Sequence, residues 1–178
     1  DRNEVSSTTD KLLSFLCSAG IKVYLLSAAK SIFAAYHGAF EKINPDKEDI
    51  LLFCHDDIEI RENPNNFVEK LKNSLDTPEV GFVGAAGTKS LGPNAVWWDQ
   101  EKWQQRKHSG TVIHVDPQGK EYTTPYGPPS DVVTLDGLFL AAKRKVLDDV
   151  GLQKPEYFEG EWDFYDIYYT SQAFLKGY

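Results

Sequence analysis

Residues 50–57 read Ile-Leu-Leu-Phe-Cys-His-Asp-Asp, an unbroken apolar run that ends abruptly on ionisable side chains. A strand with no polar alternation has no face to give to water, so Ile50–Cys54 is expected inside a sheet covered on both sides. The flanking sequence supplies the covers. Ile32, Tyr36, Ala39, Phe40 and Ile43 recur on one helical face, and Asn44-Pro45-Asp46 ends that helix. Phe67, Val68, Leu71 and Leu75 mark a second amphipathic helix, closed by Pro78. Short β-rich runs at Ile21–Leu26 and Val80–Val83 complete a β-α-β-α-β order, and Lys11–Ala19 followed by Gly20 reads as a further helix. This order predicts a three-layer α/β/α sandwich with a mostly parallel mixed sheet and right-handed crossovers.

The second half has a different texture. Residues 87–110 show neither helical nor strand period and carry Trp97, Trp98 and Trp103 among polar residues; a loop this long in one domain is usually functional. Strands are expected at Thr111–Val115 and Val132–Leu135, separated by the Pro- and Gly-rich stretch 116–129, and a short helix at Lys143–Val150 ends at Gly151. The whole chain, 1–178, reads as one domain whose composition shifts near Gly87. Its formal charge of −8 disfavours general binding to a phosphate backbone, so no nucleic-acid partner is expected. No apolar run approaches the roughly 20 residues of a transmembrane helix. Two cysteines cannot form a disulfide framework, and a reducing compartment is the default.

Three constellations could carry chemistry. At the end of the apolar run, Asp56, Asp57 and Glu59 repel one another unless a cation or a basic group lies between them. Hard oxygen ligands suit Mg²⁺ or Mn²⁺, commonly shared with a diphosphate, although a solvated acidic turn explains the same residues. Cys54 and His55 lack the second ligand pair that zinc needs. Between Glu156 and Asp166 stand five acids and no basic residue. A carboxylate at the start of a helix is kept ionised by the helix dipole, as a general base requires, but Asp163 or Asp166 could equally cap the helix. Trp97 and Trp98 suit either a platform for a sugar or base, or an anchor for their own loop. Residues 81–90 follow a strand but lack the Gly-Lys-Ser/Thr of a P-loop, and no dinucleotide fingerprint or serine-hydrolase elbow is present. His37, His108 and His114 are isolated and read as surface or core residues.

Together these motifs resemble bacterial family 2-like glycosyltransferases of the GT-A fold, in their His-Asp-Asp branch. The likeness runs through residues 50–58, 80–87, Trp97-Trp98, 135–141, Phe164-Tyr165-Asp166-Ile167 and Gly177-Tyr178. It implies a GT-A-like (nucleotide-diphospho-sugar transferase) domain, with donor-binding residues in 1–87 and acceptor and catalytic residues in 88–178. It implies transfer of a sugar, hexosyltransferase-like and inverting, from a nucleotide-diphosphate sugar to a glycan or lipid-linked acceptor in cell-surface polysaccharide biosynthesis. Asp57 would hold Mn²⁺ or Mg²⁺, Asp56 and His55 would touch the donor, Asp166 would be the catalytic base, and Trp97, Trp98, Asp136 and Trp162 would line the acceptor side. Tyr165 replaces the Glu of the family's Glu-Asp pair, and Tyr168 stands where many relatives have a second Asp. The resemblance also implies a first strand before Asp1, an extension after Tyr178, and a location in the cytoplasm or at the inner membrane face. The alternative is a non-catalytic nucleotide- or carbohydrate-binding domain of the same fold; a metal-dependent phosphoryl-transfer enzyme is a more distant third.

Overall fold

The computed structural model describes residues 6–178, apart from the side chain of Gln100. In chain order the elements are α1 (Ser7–Ser18), α2 (Ile32–Ile43), β1 (Ile50–Cys54), α3 (Pro64–Leu75), β2 (Val83–Gly84), β3 (Ala86–Thr88), α4 (Gln100–Gln104), β4 (His108–Val115), β5 (Glu121–Gly127), β6 (Thr134–Leu135), β7 (Phe139–Lys143), α5 (Arg144–Val150) and α6 (Tyr165–Leu175). The first three helices begin on their own capping residues. The hydroxyl of Ser6 accepts from Thr9 N–H at 3.1 Å, that of Ser31 from Ala34 N–H at 2.9 Å, and Asn63 caps α3 with Pro64 in its first turn. Asn44 closes α2 in the left-handed conformation at φ 44°.

The sheet corrects the expectation of mostly parallel strands. β7 lies between β1 and β2 and runs antiparallel to both, with Leu52 opposite Ala141 and Gly84 opposite Leu140. A second sheet, ordered β5-β4-β3-β6, is antiparallel throughout. The physical reason is Phe139-Leu-Ala-Ala-Lys143. Its alanines carry little β-propensity, yet they let helices approach closely, and Phe139 to Ala142 are all buried. Leu140 and Ala142 face a core built from α2, α5 and α6, including Phe33, Leu147 and Tyr169. Phe139 and Ala141 face Leu71 and Leu75 of α3. β7 is therefore the strand most deeply covered on both faces.

β1 also packs on both faces, Leu51 and Phe53 against the core of α2, α5 and α6 and Ile50, Leu52 and Cys54 against the α3 cluster, but less deeply. Among the described residues it is an edge strand, and all five of its residues are half-buried. Its outer side faces a cavity of about 1900 Å³ whose far wall is residues 19–29. Ile21–Leu26, expected as a strand, pairs with no strand, and Tyr24, Leu25 and Leu26 are 44%, 59% and 46% exposed. The expected strand at Val80–Val83 contracts to β2. Residues 87–110 are more ordered than their sequence suggests, since most of β3, all of α4 and the start of β4 lie within them. β5 occupies the Pro- and Gly-rich stretch as the outer strand of its sheet, where Pro125 withholds no needed ladder donor.

Candidate active site

The site is assembled around the loop 136–138 between β6 and β7. Asp136 N–H donates to Ala86 O at 2.9 Å, and its own Oδ1 accepts from Leu138 N–H at 2.8 Å, an Asx turn that fixes the loop. Just past β1, His55 N–H donates to Leu138 O at 3.2 Å, extending the β1–β7 pairing by one step. The chain then leaves the sheet, and Asp56 and Asp57 are exposed.

Helix α6 approaches the same loop from the other side. Phe164, in the left-handed region at φ 59°, turns the chain into the helix. Asp166 sits inside the first turn: its Oδ1 accepts from Ile167 N–H and its Oδ2 from Gly137 N–H, each at 2.8 Å. Tyr165 donates its hydroxyl proton to Gly137 O at 3.1 Å, and the same oxygen lies 3.0 Å from His55 Nε2. The Thr170 hydroxyl, 2.8 Å from that of Thr134 on β6, fastens the next turn of α6. Consecutive residues of α6 thus grip both ends of Gly137, and one of them also meets the residue that precedes Asp56-Asp57.

Burial governs the electrostatics. It pushes the Asp166 carboxyl above the ordinary carboxylate range; the Ile167 and Gly137 N–H groups oppose the shift and the nearby Asp136 carboxylate adds to it. Burial, followed by neighbouring Tyr36, raises the Tyr165 hydroxyl far above its usual value, so it remains a proton donor. Burial and Asp56 push the Cys54 thiol up to about 11, which makes it inert.

His55, Asp56, Asp57, Trp162 and Tyr165 line the large cavity together, with Trp162 half exposed. Asp136 and Asp166 adjoin this wall through Gly137. The tryptophan pair divides. Trp97 is 3% exposed and packs with Ala86 and Ile167, so it anchors the loop beneath α6 instead of facing an acceptor. Trp98 stands edge-on to it at 6.0 Å and is 56% exposed.

Residues 12–178 match a family described as "glycosyltransferase like". The chain belongs to that family. It is also 24% identical over 144 residues to the streptomycin biosynthesis protein StrF of Streptomyces griseus, an alignment that covers 79% of this chain and 47% of that protein. The chain therefore spans about half the length of this curated relative. No solved structure matches it.

For a glycosyltransferase-like chain the question is whether the strand-end acids fit a divalent cation. Among the described residues, no three His, Cys, Asp or Glu side chains converge into a metal cage. Glu59, the third acid of the sequence motif, faces Arg61 at 3.5 Å and Lys11 at 3.8 Å. Asp56 and Asp57 alone suit an ion that takes its other oxygens from a diphosphate and water, and do not suit a site closed by protein. The sequence reading included Gly137 and Leu138 only within the likeness at 135–141 and Tyr165 only as a replacement for a Glu, and gave none of the three its role here. Only the adjacency of Tyr165 to Asp166 hinted at the last of them.

Proposed function

We propose that this chain transfers a sugar from a nucleotide-diphosphate sugar to an acceptor hydroxyl, with inversion at the anomeric carbon. The observation that carries the reading is the His55–Tyr165 contact, which joins the loop of Asp56-Asp57 to the start of α6, where Tyr165 shares their cavity and Asp166 is the next residue. Membership of the glycosyltransferase-like family supports the same chemistry. In this reading Asp57 holds Mn²⁺ or Mg²⁺, and Asp56 and His55 face the donor. The cation, when bound, neutralises charge that develops on the departing diphosphate. Asp166 removes the proton of the acceptor hydroxyl. Its raised affinity for a proton brings it nearer the working pH, which is what a base needs, and each of its oxygens keeps a second lone pair free of the backbone. Trp162 and Trp98, two of the three exposed tryptophans, offer apolar faces to sugar rings. The acceptor is a glycan or lipid-linked saccharide.

One observation favours a non-catalytic sugar- or nucleotide-binding domain. Both oxygens of Asp166 already accept backbone N–H groups, as a purely structural carboxylate would. Turnover decides between the readings. With Mn²⁺ and a panel of UDP-, GDP- and dTDP-sugars, transfer or donor hydrolysis is expected in the wild type and is abolished by chelation, Asp57→Ala or Asp166→Ala. Full turnover in both variants rules the transferase site out; donor binding that survives chelation, without turnover on any sugar, favours the binding domain.

A further inference from the structure

The exposed acids Asp56 and Asp57 are followed by Ile58 and Ile60, which pack on the α3 cluster, but among the described residues the acids themselves make no hydrogen bond or ion pair. From Asp56 to Ile60 no hydrogen bond joins the loop to the rest of the molecule among the described residues; Glu59 alone makes ion pairs, on the far side of the loop. The nearest polar tether is His55, held through its backbone N–H to Leu138 O and through its ring to Tyr165. That ring contact spans 110 positions of sequence and ends on the residue beside Asp166.

We propose that His55 and Tyr165 form a positioning pair that sets the spacing between the strand-end acids and the Asp166 carboxylate; the proposal rests on the transferase reading above. The bonding pattern defines what each partner does. The Tyr165 hydroxyl also meets that of Tyr36; with its only proton on Gly137 O, its oxygen meets His55 Nε2 as an acceptor. His55 therefore carries its proton on Nε2, and Nδ1 is left out of this network. Gly137 is fixed at the same time, through its carbonyl by Tyr165 and through its N–H by Asp166. A shift of the Tyr165 hydroxyl thus moves three things together: the root of the Asp56-Asp57 loop, the Gly137 peptide, and the orientation of Asp166. No room exists for slack, because a Cβ on Gly137 would lie 2.6 Å from Tyr165 Cζ. The Tyr165 hydroxyl is neutral, binds no metal and takes up no proton, so its part in the reaction is geometric.

Two measurements test the pair. In long-range ¹H–¹⁵N spectra of ¹⁵N-histidine-labelled protein, His55 should be the Nε2–H tautomer, and Tyr165→Phe should release it to a tautomer mixture. A His55 protonated on Nδ1 alone, or one unaffected by Tyr165→Phe, overturns the contact. In kinetics with Mn²⁺ and the same nucleotide-sugar panel, Tyr165→Phe and His55→Phe should each lower kcat about ten- to hundredfold, the scale of a small misplacement of reacting groups, and Tyr165→Phe should do so at unchanged donor KM. The double variant should be no slower than the worse single one. His55→Gln, which keeps a donor at the ε position, should retain about tenfold more activity than His55→Asn. Independent, multiplicative losses, or a raised donor KM or full kcat in Tyr165→Phe, overturn the pair while Asp57→Ala and Asp166→Ala remain inactive. Activity in those two variants would instead remove the transferase reading, and the tautomer measurement would still decide the contact.

Discussion

Gly137→Ala is the most informative small change in this molecule. An added Cβ would overlap the Tyr165 hydroxyl and lie 2.6 Å from Tyr165 Cζ and 3.0 Å from Asp166 Cβ. Tyr165 has nowhere to retreat, since its buried ring packs edge-to-face on Tyr36 at 5.7 Å and against Tyr169 at 6.2 Å. Overpacking of this kind costs about 1–3 kcal/mol. Relief by movement of α6 would sacrifice the Tyr165–Gly137 bond, worth about 1 kcal/mol, and the Gly137–Asp166 bond to a charged acceptor, worth about 1.5–3 kcal/mol. These losses are alternatives more than addends, so the expected total is about 2–4 kcal/mol, a large share of the roughly 5–15 kcal/mol available to a domain. Gly38 is the control. It lies in α2 with nothing within 4 Å of an added Cβ, so Gly38→Ala should stabilise the protein by about 0.5–1 kcal/mol. Urea denaturation of the two variants, with unchanged m-values, gives both numbers. A Gly137→Ala loss below about 0.5 kcal/mol, or effects of the same sign at both positions, would refute the packing argument.

Other outcomes follow from the same site. Because the Asp166 carboxyl is raised in the folded state, the native protein holds this proton to higher pH than the unfolded chain does. Its contribution to stability therefore falls as pH rises from the ordinary carboxylate value, about 3.9, through the raised one, and is flat beyond. Denaturation of wild type and Asp166→Asn across that window should show the wild type losing ground to the variant as pH rises; a wild-type gain would mean that the Gly137 and Ile167 N–H groups dominate. At the tryptophan loop, Trp97→Ala should cost about 3–5 kcal/mol by emptying a core position. Trp98→Ala should leave Tm nearly unchanged and act, if anywhere, on acceptor KM. Equal Tm losses at the two positions would contradict their different burial.

The helices were legible because their signals are local. Ser31 and Asn63 cap their own helices, and the apolar period of α2 is carried by residues a turn apart. β7 was not legible, although it is the most deeply buried strand. Leu140, Ala141 and Ala142 owe their place to α2, α3, α5 and α6, which arrive from distant sequence, and alanine itself advertises no strand. The expectation of a mostly parallel sheet followed from that omission. In the site, Asp56 and Asp57 could be placed at a strand end because the break from apolar to acidic is sharp. Asp166 was suspected from its acidic neighbourhood, but its double grip on Gly137 and Ile167 needed the loop to be in view. Trp97 and Trp98 are chemically identical, and only packing tells the anchor from the exposed ring.

The open flank of β1 has a practical consequence at the bench. A half-buried edge strand presents a row of backbone donors and acceptors with apolar side chains on either side, an arrangement that invites strand addition from another chain. With β1 at the sheet edge among the described residues, the protein should self-associate as its concentration rises. Loss of soluble material would then report on a bare strand edge, and would say nothing about the integrity of the acids at its end.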